Sequence, residues 1–164
     1  MASRASIAGH PIHPMLVPFP IGLWVTSFAL DIWFYFERNT TWLYASKFMI
    51  AAGCLGAVAA AVAGIIDWTG LKERRVVKIA NWHARLNIAA LIVFTLSLYF
   101  RMERGSGIVG HRLTVPFLLS FVGVILISIS GWLGGEMAYK YGVGVEVQHN
   151  TPEEAQVKGR AAAG

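Results

Sequence analysis

Four long apolar segments, separated by short polar breaks, dominate the pattern of this chain. They cover about residues 15–36, 48–66, 82–100 and 113–133. Each is close to the roughly 20 residues that an α-helix needs to cross the hydrocarbon core of a bilayer. Short loops make consecutive helices antiparallel neighbours. The pattern therefore predicts an all-α fold, a four-helix transmembrane bundle with up-down topology.

The remaining sequence adds little further structure. We assign residues 1–147 to one four-span membrane domain and expect residues 148–164 to form a mobile polar tail, because that segment has no apolar periodicity. We find no internal repeat in the sequence. In the second span Gly56, Ala60 and Gly64 recur every four residues. Small residues at this spacing let helices approach closely in lipid, within one bundle or in a homo-oligomer.

The composition supports a membrane location. The chain is 55% hydrophobic and 14% charged, with a mean hydropathy of +0.54, whereas soluble domains carry about 25% charged residues. A net charge of +5 could indicate nucleic-acid binding, but the basic residues lie between the apolar segments, as membrane anchors do. We therefore expect a lipid bilayer as the surrounding medium and no nucleic-acid partner.

The distribution of Lys and Arg predicts the orientation. Nine of them fall on the side of the N-terminus, the second loop and the tail, and five on the other side. Positively charged loops stay in the cytoplasm. We therefore expect both termini in the cytoplasm and a location in a bacterial inner membrane.

Up-down topology brings five ionisable residues to one end of the bundle. These are His10, His13, Asp67, His83 and Glu136. Imidazole and carboxylate groups are ligands for transition metals, and helix bundles often build cofactor sites from inward-facing side chains. The sequence therefore predicts a cofactor or metal site at this end.

Within this set, His13 and His83 are our candidates for the axial ligands of haem b. The first and third helices lie diagonally in a square bundle, so these imidazoles would face each other across its centre. Asn87 lies four residues after His83, on the same helix face. Arginines such as Arg85, together with Arg74 and Arg75, would pair with the propionates. His10, Asp67 and Glu136 would orient the ligands or handle protons.

Two other functions remain open. The protein could bind or transport a metal ion, with His10, His13, His83, Asp67 and Glu136 as direct ligands. It could also be a structural membrane subunit without chemistry. In that case the histidines lie in the interfacial zone, and Asp67 pairs with a cation such as Arg74, Arg75 or Lys78. The single cysteine, Cys54, excludes an intrachain disulfide.

Asp31 lies inside the first span, towards the other end. A carboxylate at membrane depth is a functional candidate by default. The structural alternative is an ion pair, and we list its candidate partners as Arg38, Lys47, Arg101, His111 and Arg112.

Several segments resemble one family. "GHPIHPMLVPFPIGLW" near the start and "GWLGGEMAYKYGVGVE" near the end are similar to the signature segments of the DUF2231 family of prokaryotic membrane proteins, and "AGIIDW" and "WHARLN" to its internal landmarks. The resemblance covers about residues 8–147. Some relatives continue into a Rieske iron–sulfur domain, which implies electron transfer to or from a quinone or a partner protein. The family pattern singles out the same five ionisable residues.

Overall fold

Helices account for most of the structure, a computed structural model that describes residues 3–102 and 114–145. Two short strands come first, followed by one short and four long helices. Their bounds are β1 Ser6–Ile7, β2 His10–Pro11, α1 Ile12–Leu16, α2 Pro18–Glu37, α3 Thr40–Trp68, α4 Arg74–Met102 and α5 Thr114–Tyr141. The predicted tail and the first residue of the fourth predicted span lie outside the described residues, as do His111 and Arg112.

Four helical segments within residues 3–102 and 114–145 are long and apolar enough to cross a membrane, which confirms the predicted fold. α1 and α2 together span 26 residues, α3 and α4 29 each, and α5 28. The helices extend beyond the predicted spans. α4 begins at Arg74, eight residues before the predicted start, because its basic first turns form helix outside the apolar segment.

The prolines of the first helix shape how the chain enters the bundle. β1 and β2 pair as a small hairpin whose turn places Ala8 and Gly9 at φ 50° and 80°. α1 then leads into α2 with a single break at Val17, which keeps helical dihedrals. Pro18 follows that break, and proline has no N–H with which to continue the helical hydrogen bonds. The chain therefore enters the bundle through a hairpin joined to a helix that is interrupted at one residue.

The four long helices form two hairpins. α2 and α3 pack along their lengths, as do α4 and α5, and narrower seams between α3 and α4 and between α2 and α5 join the two hairpins. Arg38 in a left-handed conformation and Asn39, whose side chain accepts from Thr41 N, make the α2–α3 turn. α2 and α4 therefore lie diagonally, as predicted.

The two hairpins are equivalent, so the expectation of no internal repeat is wrong. Residues 70 positions apart, like Asp31 and Arg101, occupy matching places in the two hairpins. The matching pairs are His13 and His83, Trp24 and Phe94, Ser27 and Ser97, Ile50 and Ser120, Gly53 and Gly123, Ala60 and Ser130, and Gly64 and Gly134. Four of these seven pairs are identical and three differ, so the repeat is clearer in burial and geometry than in residue identity.

Equivalent residues meet each other at three levels of the bundle. The rings of His13 and His83 face each other, Trp24 stacks on Phe94 with centroids 4.4 Å apart, and Asp31 pairs with Arg101. Contacts between equivalent residues mark a two-fold axis. The three contacts follow the same order along α1–α2 and along α4. These segments are therefore parallel, and the axis runs along the bundle. This is the arrangement of parallel repeats around the membrane normal.

Candidate functional site

The His13 and His83 side chains meet at the end of the bundle where the chain enters. Their ring centroids are 6.3 Å apart and the ring planes are nearly perpendicular, at 85°. Both residues are half-buried. The sequence-based prediction that these two imidazoles face each other agrees with this geometry.

A backbone carbonyl orients the His13 ring. Nδ1 of His13 lies 2.8 Å from the carbonyl oxygen of Ala60 on α3. A carbonyl only accepts hydrogen bonds, so Nδ1 carries the proton and donates it. In a neutral imidazole this leaves Nε2 as the nitrogen with a free lone pair, which is the usual preparation of a histidine ligand.

His83 is oriented in the equivalent way. Its Nδ1 donates over 2.8 Å to the carbonyl oxygen of Ser130 on α5, also 47 residues later in the chain. The Ser130 hydroxyl lies 3.0 Å from the same nitrogen and donates to His83 O. Asn87 Nδ2 lies 3.0 Å from His83 Nε2 and also donates to His83 O. The equivalent of Asn87 is Val17, so only the second imidazole has this amide neighbour.

Glycines on the facing helices make room for both rings. A Cβ on Gly64 would lie 2.9 Å from the His13 ring, and a Cβ on Gly134 would lie 3.2 Å from the His83 ring. The row of small residues predicted on the second span therefore packs against α2 at Gly56 and against the His13 ring at Gly64.

Asp67 holds the start of the chain. Its Oδ1 accepts from Ser3 Oγ at 2.7 Å and from Ala5 N at 2.9 Å. Among the ion pairs of residues 3–102 and 114–145 none involves Asp67, so the expected pairing with Arg74, Arg75 or Lys78 is wrong. The carboxylate instead satisfies donors of the segment that leads to His13.

We expect Asp67→Ala to expose the first residues to protease. The substitution removes two hydrogen bonds to a charged acceptor, and such bonds contribute about 1.5–3 kcal/mol each. Local opening of this segment should therefore increase at least about tenfold. Limited trypsin digestion followed by intact-mass measurement would detect cleavage after Arg4, which is exposed. Asp67→Asn keeps an oxygen acceptor and is the matched control; equal cleavage of both variants would contradict this role.

The other predicted site residues lie apart from the imidazole pair. His10 is exposed, with Nδ1 3.0 Å from Ala8 O. Arg85 is two residues after His83, and residues two apart on a helix point in different directions. Its side chain therefore lies away from the imidazoles and stacks over Trp82 on the outer surface. Glu136 pairs with Lys140 at 3.0 Å, one turn along α5.

The expectation that these five groups converge on one point is therefore wrong for the described structure. Within the described part of the chain, no three His, Cys, Asp or Glu side chains lie close enough together to hold a metal ion. His10, Asp67 and Glu136 share the end of the bundle with His13 and His83, but each contacts its own neighbours. Topology fixes only the end of the bundle, and the direction of each side chain depends on the rotation of its helix.

At the opposite end, Asp31 and Arg101 form a buried bidentate ion pair. Arg101 Nη1 donates to Asp31 Oδ1 over 2.8 Å and Nη2 to Oδ2 over 2.5 Å. Ser46 donates to Asp31 over 2.7 Å, and Ser97 and Ser120 accept from Arg101. The side chains of the ion pair are only 3% and 6% exposed. The structural interpretation of Asp31, with Arg101 as partner, is confirmed.

Sequence reasoning missed the groups that orient these residues. Two of them, the Ala60 and Ser130 carbonyls, are backbone atoms and leave no sequence signal of their own. The serines around Arg101 had a signal, since Ser46, Ser97 and Ser120 are hydroxyls in apolar segments. The 70-residue spacing between His13 and His83, repeated between Gly64 and Gly134, was the available sign of the repeat.

Comparison with known proteins returns one family. A model described as "Predicted membrane protein (DUF2231)" matches residues 9–147. No curated protein and no solved structure matches the chain.

Proposed function

The chain belongs to the DUF2231 family of membrane proteins, and from the geometry of its imidazole pair we propose that it binds haem b between His13 and His83. One observation carries the proposal: two equivalent imidazoles meet on the two-fold axis, each with Nδ1 bound to a backbone carbonyl. A ligand on this axis would be held equally from both hairpins. Bound haem would supply one-electron chemistry, for transfer to or from a quinone or a partner protein.

The residues present fit such a group. His13 on α1 and His83 on α4 would hold the group from the two hairpins, one imidazole from each, and their ring centroids are 6.3 Å apart. His13 Nε2 makes no hydrogen bond within residues 3–102 and 114–145. Asn87 can leave His83 Nε2 and keep its bond to His83 O. The two hairpins pack against each other less extensively than the two helices within each hairpin do. A flat group inserted between the hairpins would therefore disrupt the least packing.

The roles of the remaining residues follow from their positions. Gly64 and Gly134 keep the rings in place, and Ser130 adds a hydroxyl beside His83. Arg85 does not serve as a propionate partner in this geometry, because it lies over Trp82 on the outer surface. The excess of Lys and Arg at this end supports a site on the cytoplasmic side of a bacterial inner membrane.

A spectrum of the purified protein tests the proposal. We expect a Soret band, with a bis-imidazole low-spin signal in electron paramagnetic resonance, when the protein is expressed with haem precursor or titrated with haemin. His13→Ala and His83→Ala should lose at least about tenfold in haem affinity. His10→Ala, an exposed histidine at the same end, is the matched control and should keep the spectrum.

Two further variants distinguish the loss of a haem ligand from misfolding of the protein. His83→Met keeps an iron ligand and should shift the Soret band and raise the potential rather than abolish binding. Gly134→Ala should displace the His83 ring and weaken binding with the fold retained. A wild-type protein that stays colourless at excess haemin would overturn the proposal, as would unchanged spectra in both alanine variants.

A structural role without chemistry is the second candidate. One observation favours it: every buried polar side-chain atom in the described residues already has a hydrogen-bond partner. It would be supported by a colourless protein whose His13→Ala and His83→Ala variants keep wild-type stability.

A further inference from the structure

An apolar groove runs along the outer surface of the second hairpin. It has a volume of about 410 Å³ and lies between α4 and α5. Its lining consists of Lys78, Ile79, Trp82, Leu86, Ile129 and Leu133. Trp82 and Ile129 are 52% and 49% exposed. Most of the groove faces the hydrocarbon of the bilayer, since Trp82 and Leu86 belong to the apolar part of α4.

The end of the groove is basic. Lys78 lies one turn before Trp82, which places it at the level of the lipid headgroups. Arg75 is three residues before Lys78, on the same helix face, and Lys140 lies in the last turn of α5. Among the described residues Arg75 and Lys78 take part in no ion pair, while Lys140 is paired with Glu136. Arg75 and Lys78 are therefore two cations without an ion-pair partner among the described residues, at the basic end of the apolar groove.

The first hairpin has a different structure at the matching place. The 70-residue offset carries Lys78 onto Ala8, in the β-hairpin turn, and carries Ile129 and Leu133 onto Ala59 and Ala63. The basic first turns of α4 have no helical counterpart, because α1 begins only at Ile12. The groove and its basic end are therefore present in the second hairpin and have no counterpart in the first.

We propose that this groove binds one anionic phospholipid, with its phosphate at Lys78 and Arg75 and an acyl chain along Trp82, Leu86 and Ile129. Basic residues at the ends of transmembrane helices attract anionic headgroups by about 1 kcal/mol per residue. The apolar groove accepts an acyl chain of any phospholipid, so the selection for anionic lipid comes from the cations. A zwitterionic headgroup carries its own positive charge and gains less.

Native mass spectrometry of delipidated protein tests this directly. Phosphatidylglycerol and phosphatidylcholine with identical acyl chains would be added separately, and the lipid-bound fraction measured. We expect phosphatidylglycerol to bind with several-fold higher affinity. Lys78→Gln should weaken its binding about fivefold, which corresponds to the loss of one such cation, and Lys78→Arg should retain it. Lys47→Gln, on α3 near the other end of the bundle, is the matched control and should change nothing.

A pair of tryptophan substitutions tests the groove itself. Ile129→Trp fills the groove and should lower phosphatidylglycerol binding, whereas Ile125→Trp, one turn along α5 outside the lining, should not. Equal binding of the two lipids would overturn the proposal and indicate ordinary annular lipid. It would also be overturned if Lys78→Gln bound like Lys47→Gln, or if both tryptophan variants bound like wild type.

Discussion

We expect Arg101→Met to destabilise the bundle by about 3–5 kcal/mol, the usual cost of removing one partner of a buried ion pair. The substitution leaves the Asp31 carboxylate uncompensated at 2% exposure, with one hydroxyl donor, Ser46. Titration of the purified protein with denaturing detergent, followed by far-ultraviolet circular dichroism, would measure the loss. Lys140→Met removes an exposed ion pair and is the control, with a far smaller expected effect because solvent screens such pairs.

The two-fold repeat adds a sharper expectation for the same pair. Because positions 31 and 101 are equivalent, exchanging the charges with Asp31→Arg and Arg101→Asp should restore at least half of the stability lost in either single variant. Each position has a serine four residues earlier, Ser27 and Ser97, and Arg101 already contacts the latter. An exchanged protein that loses as much as the sum of the two single variants would show that the two environments are not equivalent.

Gly53→Ala and Gly123→Ala should each destabilise the protein by about 1–3 kcal/mol, the typical cost of overpacking. A Cβ at Gly53 would lie 2.5 Å from Trp24 Nε1, and one at Gly123 would lie 2.5 Å from Cε2 of Phe94. Both rings are almost fully buried and stack on each other, so neither can move aside without disturbing the other. The repeat predicts effects of similar size at the two positions, measurable by the same detergent titration.

Glycines that face open space provide the control for this experiment. Within 4 Å of a Cβ placed at Gly22 or Gly131 there is no heavy atom outside the local backbone. Gly22→Ala and Gly131→Ala should therefore be neutral or stabilising by up to about 1 kcal/mol, because alanine favours helix. Equal effects at all four positions would mean that helix propensity, and not the Trp24–Phe94 stack, determines the response.

Parts of the candidate site could be predicted because they follow from topology. Up-down connection of four apolar segments places His13 and His83 at one end and on diagonal helices, and their facing geometry agrees with that. The same argument failed for His10, Asp67 and Glu136, because topology does not determine which way a side chain points. Asp67 lies at the predicted end, yet it binds Ser3 and Ala5.

The internal repeat was hidden for a different reason. Two of its three contacts at the axis join different residues at equivalent positions: Trp24 matches Phe94, and Asp31 matches Arg101. Complementary partners across an axis need to differ, since two aspartates or two arginines there would repel each other. A comparison of residue identities therefore finds only part of the repeat, such as His13 with His83, whereas the contacts show it at all three levels of the bundle.

By itself the sequence determined the membrane location, the four helices and the end of the bundle where the histidines lie. These follow from local hydrophobicity and chain connectivity, which are properties of the residues in order. The tertiary structure decided that the two hairpins are equivalent, that carbonyls of Ala60 and Ser130 orient the imidazoles, and that Arg101 is the partner of Asp31. Those features depend on helix rotation and on backbone atoms of distant residues, and only the packing of all four helices sets both.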